Sequence, residues 1–205
     1  MSGRYALFDW PETLTQLPGF PQQMRAHWNL APKSQVLMLY QHQQELRATL
    51  ALWGFTPAWL TDLTRAVAHA RMETISKQPM FKNAWRGQRC VLPANGFFEW
   101  RGLQRKQPFW LSSAEPLLYF AAIWDRYSVP GRDYYSVAML TRQAASLRRP
   151  ILLNERQRAV WLNPESSEAD VLEVLEQEQP QLFERRVSTL INDPLVDGPH
   201  CLNRG

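Results

Sequence analysis

Short apolar runs bounded by turn residues dominate the chain, and a helical repeat shows clearly only towards its C-terminal part. Tyr5-Ala6-Leu7-Phe8 reads as a short strand, and Asp9 is placed to cap a short helix with Pro11 and Glu12 in its first turn. Asn29-Leu30-Ala31-Pro32 reads as a loop, because Pro32 biases Ala31 away from helix. Val36–Tyr40 and Arg47–Trp53 form an expected hairpin joined at Gln41–Glu45, and Gly54–Trp59 is an irregular aromatic segment. A helical turn is expected to lead into Met80-Phe81-Lys82. In Arg89–Trp100 two apolar runs flank the turn signal Asn95-Gly96. Pro108–Ser113, Leu117–Trp124 and Tyr134–Thr141 read as further strands, with turns at Glu115-Pro116 and Val129-Pro130-Gly131. Asn154 caps a predicted helix through Leu162, and a second runs from about Ser167 to Glu178, with Val171, Leu172, Val174 and Leu175 on its apolar side. The tail from Arg186 to Gly205 reads as a strand with loops. Many strands with helices gathered in two places predict an α+β fold. One domain is expected over residues 1–205: a curved, mostly antiparallel, barrel-like and bifurcated sheet with flanking helices.

Composition narrows the class. Hydrophobic residues make up 45% of 205, which supports a full core and leaves no segment that reads as disordered. Only Lys33, Lys77, Lys82 and Lys106 are lysines among 23 cationic residues, so 19 are arginines. Arginine grips phosphate with two donors and stacks on bases, so this bias leans towards nucleic acid. Cys90 and Cys201 are the only cysteines, too few for a disulfide framework or a zinc cluster. No run approaches a membrane span and no secretory leader pattern opens the chain, so a cytoplasmic location is expected, at the nucleoid when bound to DNA.

Glu99 sits among Phe97, Phe98 and Trp100. Burial there would raise its pKa and let it shuttle protons; strand alternation towards solvent, or pairing with an arginine, would make it structural. His27, His42, His69 and His200 lie at no metal-ligand spacing, and no glycine pattern makes a phosphate loop, so no cofactor or metal is expected.

Several short motifs then follow one another in a fixed order. They include Asn29-Leu30-Ala31-Pro32, Trp53-Gly54-Phe55-Thr56-Pro57, Ala70-Arg71-Met72-Glu73-Thr74, Gly96-Phe97-Phe98-Glu99-Trp100, Phe120-Ala121-Ala122-Ile123-Trp124 and Arg148-Arg149-Pro150. In this combination the chain resembles the SRAP family, SOS response-associated proteins that shield abasic sites in single-stranded DNA and were once described as peptidases. The resemblance implies a reactive residue 2, a glutamate at Glu99 for proton transfer, a histidine just before Arg148-Arg149-Pro150, and arginines with an aromatic loop that hold a kinked strand. The family's residue 2 is a cysteine whose amine and thiol close a thiazolidine on the abasic aldehyde. Here Ser2 stands at that position, Ser146 at the histidine and His69 where an asparagine is expected.

Ser2 would keep a free α-amine once Met1 is removed, with a pKa near 8, so imine formation survives. Its hydroxyl is a poor ring-closing nucleophile compared with a thiol. The resemblance therefore implies binding of single-stranded DNA at abasic sites, with Schiff-base, crosslinking or weak lyase chemistry at the amine of residue 2. A binding module without chemistry and a hydrolase or peptidase using Ser2 as N-terminal nucleophile are the alternatives. The candidate reactive residues are Ser2, Glu99, Ser146 and His69. The candidate DNA contacts are Gly3, Arg4, Asn29, Trp59, Arg71 and Arg148. Single-stranded DNA is the expected partner, and a monomer the expected state.

Overall fold

The computed structural model describes residues 3–60, 65–102, 106–145 and 147–205. Strand β1 (Arg4–Leu7) leads to a one-turn helix α1 (Glu12–Thr15), then β2 (His27–Leu30), β3 (Gln35–His42) and β4 (Glu45–Trp53). Next come β5 (His69–Arg71), α2 (Lys82–Gly87), β6 (Arg89–Ala94), β7 (Gly96–Arg101) and β8 (Gln107–Ser112). The long strands β9 (Leu118–Val129) and β10 (Arg132–Ala144) precede β11 (Leu147–Pro150), α3 (Glu155–Leu162), α4 (Glu168–Glu176) and β12 (Phe183–Arg186).

The expected α+β fold is present, with a sheet that closes on itself. The order β10-β4-β3-β6-β9 returns to β10, giving a five-stranded ring in which only β10–β4 is parallel. Strand β3 lies in the middle of this ring with Val36 to Tyr40 all buried, which explains its unbroken apolar run. Beyond the ring β10 continues, with β5 parallel on one edge at Met139–Thr141 and β11 antiparallel on the other at Thr141–Ala144. A second, wholly antiparallel sheet has the order β12-β8-β7-β1-β2.

Several local readings need correcting. The chain turns at Asn95-Gly96 as expected, but the flanking strands do not pair: β6 belongs to the ring and β7 to the second sheet. Asn95 is the corner between them. Its Oδ1 accepts from the Phe8 and Asp9 amides (2.8 and 3.1 Å), and its Nδ2 donates to the Asp9 and Pro116 carbonyls (2.9 and 3.2 Å). Asp9 is thereby held in the corner, and Pro11 occupies the cap of α1. Asn29 and Leu30 end a strand rather than lying in a loop, because the restriction from Pro32 acts only on Ala31. The tail strand lies earlier than expected, ending at Arg186, and is followed by 3-10 turns at Thr189–Asn192 and Pro199–Leu202.

The predicted hairpin is longer and tighter than its apolar run. β3 and β4 pair from Gln35–Leu52 to His42–Glu45, and Gln43 and Gln44 turn between them with φ of 49° and 64°. Asn154 and Ser167 cap α3 and α4 as the sequence suggests, each within a reciprocal capping box. Arg89 starts β6 as a buried cation whose donors end on main-chain carbonyls of Arg86, Trp161 and Asn163, at the C-terminal ends of α2 and α3. Negative helix ends suit a cation there. Among the described residues no helix is long and apolar enough to cross a membrane.

Candidate functional site

A groove of about 1230 Å³ opens where the two sheets diverge, lined by Gly3 and Arg4, Trp100 to Gly102, Lys106, Ala144, Ala145, Leu147, Arg149, Glu184 and Asn192. β1 and β7 run side by side, with Arg4 opposite Phe98. That pairing brings the start of the chain to the Glu99 strand.

Glu99 is 3% exposed, yet Phe97, Phe98 and Trp100 are not its decisive neighbours. Its Oε1 accepts from Arg149 Nε at 2.7 Å and its Oε2 from Arg149 Nη2 at 3.0 Å and Arg101 Nη2 at 3.2 Å. Strand alternation therefore does not turn it to solvent; it is paired with arginine, one of the two structural options open from sequence. Both of its oxygens are thus occupied by guanidinium donors. Arg101 extends the chain of charges to Glu184 on β12 with two hydrogen bonds of 2.8 and 2.6 Å. Those bonds, opposed by burial and assisted by Glu99, push the Arg101 value up; in return they hold Glu184 below the usual carboxylate range.

Arg4 is also committed. Its Nη1 donates to Asn29 Oδ1 (2.8 Å) and the Ile191 carbonyl (2.7 Å), its Nη2 reaches the Asn192 carbonyl (3.3 Å), and its cationic carbon lies 5.8 Å from the Trp100 ring centre. Burial pulls this guanidinium below its ordinary value, with Asp193 acting the other way. Asn29 is 5% exposed and engaged at both ends of its amide, donating to the Asp193 and Val196 carbonyls at 2.9 and 2.7 Å. It sets the orientation of Arg4 and does not itself face the groove.

The other predicted residues lie elsewhere. His69, Arg71 and Arg148 line a second cleft of about 670 Å³ together with Gln78, Met80, Phe81 and Thr141. His69 packs edge-on against Trp53, 5.6 Å between ring centres. Arg71 is exposed beside it. Arg148 gives its Nη2 to Glu73 Oε2 (2.7 Å) and the Thr141 carbonyl (2.8 Å). Burial alone would raise the Glu73 value, but the Arg148 bond and the Gln143 amide outweigh it and leave the carboxyl below its usual range. Trp59 is 59% exposed on a loop pinned by two amide bonds, Thr56 to Ser136 Oγ and Ala58 to Asp125 Oδ2. Ser2 and Ser146 lie outside the described residues.

Sequence reasoning missed Arg149, Arg101 and Lys106. Neighbours on a strand face opposite sides, so Arg148 and Arg149 cannot both serve one cleft, and the pairing of β11 with β10 decides which of them reaches the groove.

The model of the SOS response associated peptidase (SRAP) family matches residues 1–194. The abasic site processing protein YoqW of Bacillus subtilis is 26% identical over 98% of this chain and 99% of its own length. The abasic site processing protein YedK of Escherichia coli is 28% identical over 72% of this chain and 69% of its own. A crystal structure of a Bacteroides thetaiotaomicron protein superposes with a TM-score of 0.78 at 20% identity, covering 100% of this chain and 97% of that one, and so shares the fold. With nearly its whole length matched by the family model, the chain belongs to the SOS response associated peptidase family.

Proposed function

We propose that the protein binds single-stranded DNA at abasic sites and that the α-amine of residue 2, freed by removal of Met1, attacks the abasic aldehyde. The observation that carries this reading is the groove itself, in which Gly3, covalently next to Ser2, shares the lining with Arg4, Arg101, Lys106 and Arg149. An amine placed there meets a phosphate-bearing ligand in a cationic setting. It adds to the carbonyl carbon, water leaves, and an imine remains; loss of the 3′-phosphate by β-elimination would make the protein a weak lyase. The relatives named for abasic site processing support this substrate class. Arg71 and the exposed Trp59 extend the contact, the first to phosphate and the second by stacking on a base.

Borohydride trapping on abasic single-stranded DNA tests the reading. Met1-free protein is expected to give a reducible adduct that intact Met1 protein does not. An adduct that survives heat without borohydride would contradict the expectation that the Ser2 hydroxyl leaves the imine open.

One observation favours a second reading, binding without chemistry. Both oxygens of Glu99 are taken by arginine, so the carboxyl group is held against the protein and not offered to a ligand in the groove. Tight binding of abasic DNA with no trapped species under any condition would establish it.

A further inference from the structure

The cations of the groove differ in what they have left to give. Both outer nitrogens of Arg4 are engaged by carbonyl or amide oxygens, and both outer nitrogens of Arg101 are engaged by Glu184 and Glu99. Arg149 is placed differently. It turns one edge, Nε and Nη2, to the buried Glu99, while its Nη1 has no hydrogen-bond partner among the described residues. The side chain is 35% exposed and lines the groove. A guanidinium carries five N–H donors in a rigid fork, so fixing one edge aims the other.

We infer that Arg149 is a phosphate-binding residue of the groove: it holds a phosphodiester of the bound strand with its free edge while Glu99 fixes its orientation from behind. The inference rests on the DNA-binding reading above. It assigns to Arg149 the contact that the motif Arg148-Arg149-Pro150 suggested for Arg148, which binds Glu73 and Thr141 through Nε and Nη2, is only 16% exposed and lines the second cleft instead of the groove. The rigid backing also explains why an ion pair is built on the groove wall at all. A free arginine would lose side-chain entropy on meeting phosphate, and one already held by a buried carboxylate loses less.

The test is the salt dependence of binding, measured by fluorescence anisotropy with a labelled single-stranded oligothymidylate that has no abasic site, so that no covalent step enters. Each phosphate contact contributes about 0.7 to the slope of log affinity against log salt. Arg149→Gln is expected to weaken binding and lower the slope by about 0.7, Arg149→Lys to restore the slope, and Arg148→Gln to leave it as in the parent. Because Arg149→Gln strands a buried carboxylate, the double variant Glu99→Gln with Arg149→Gln is measured as well; it carries no stranded charge and is expected to show the same loss of slope. A parent slope in both Arg149 variants, or a loss confined to Arg148→Gln, overturns the assignment while DNA binding stands. A parent that does not bind the oligonucleotide overturns both.

Discussion

Arg149 and Glu99 are joined at two points, 2.7 and 3.0 Å, across the seam between β11 and β7, which belong to different sheets. The bond is as much a tie between the two halves of the fold as a feature of the groove. Removing one partner leaves the other to bear the cost of burial alone.

Arg149→Met is therefore expected to destabilise the protein by roughly 2–3 kcal/mol, with Arg101 retaining partial hold of the carboxylate. Glu99→Gln should cost about 1 kcal/mol, since an amide still accepts one of the bonds. The double variant should be more stable than Arg149→Met alone. Urea unfolding followed by tryptophan fluorescence checks all three, and a loss in the double variant equal to the sum of the two single losses would show that the charges do not depend on each other.

Acid should loosen the second cleft. Glu73 has a folded-state value below its ordinary one, so the ionised form favours the folded state. That contribution is complete above the unfolded value near 4.3 and is lost as the pH falls through the lower, folded value. Glu184 acts in the same direction through Arg101. The thermal midpoint of the parent should thus fall below about pH 4.3, and in Arg148→Gln it should fall less steeply because Glu73 has lost its guanidinium.

The turn at Gln43–Gln44 places two ordinary side chains in the left-handed region. Gln44→Gly removes that strain at the end of the β3–β4 hairpin. A gain of about 0.5–1 kcal/mol in urea unfolding is expected, with unchanged DNA binding, since neither glutamine lines the groove or the second cleft.

Trp59→Ala should leave the midpoint of unfolding unchanged and weaken single-strand binding by about 1–3 kcal/mol, the range for loss of one base stack. Unchanged anisotropy titrations would remove Trp59 from the binding surface.

Legibility of the chain followed the range of the forces involved. The capped helices α3 and α4 and the β3–β4 hairpin could be read because their signals are local: a cap three residues from its partner, apolar runs on either side of a short turn. Strand β11 could not, since Leu-Arg-Arg-Pro has neither alternation nor β-favouring side chains and is held by pairing with β10. Helix α2 is too short and too polar to show a period. At the site, the aromatic surroundings of Glu99 were plain in the sequence, but its partner lies 50 residues away in the other sheet. No local pattern encodes which of two adjacent arginines faces it; that depends on strand register.

Arg4 has its acceptors 25, 187 and 188 residues further along, at Asn29, Ile191 and Asn192. Asn29 is itself held by Asp193, Val196 and Asp197, the last two beyond the stretch matched by the family model. During synthesis Arg4 is made long before two of its supports, the carbonyls of Ile191 and Asn192. The strands of the ring are complete with β10, whereas the groove stays unfinished until Ile191 and Asn192 are made. A chain cut before Ile191 would thus keep its ring of strands and lose the carbonyls that aim Arg4 into the groove, so the two parts of the molecule can be separated by a single truncation.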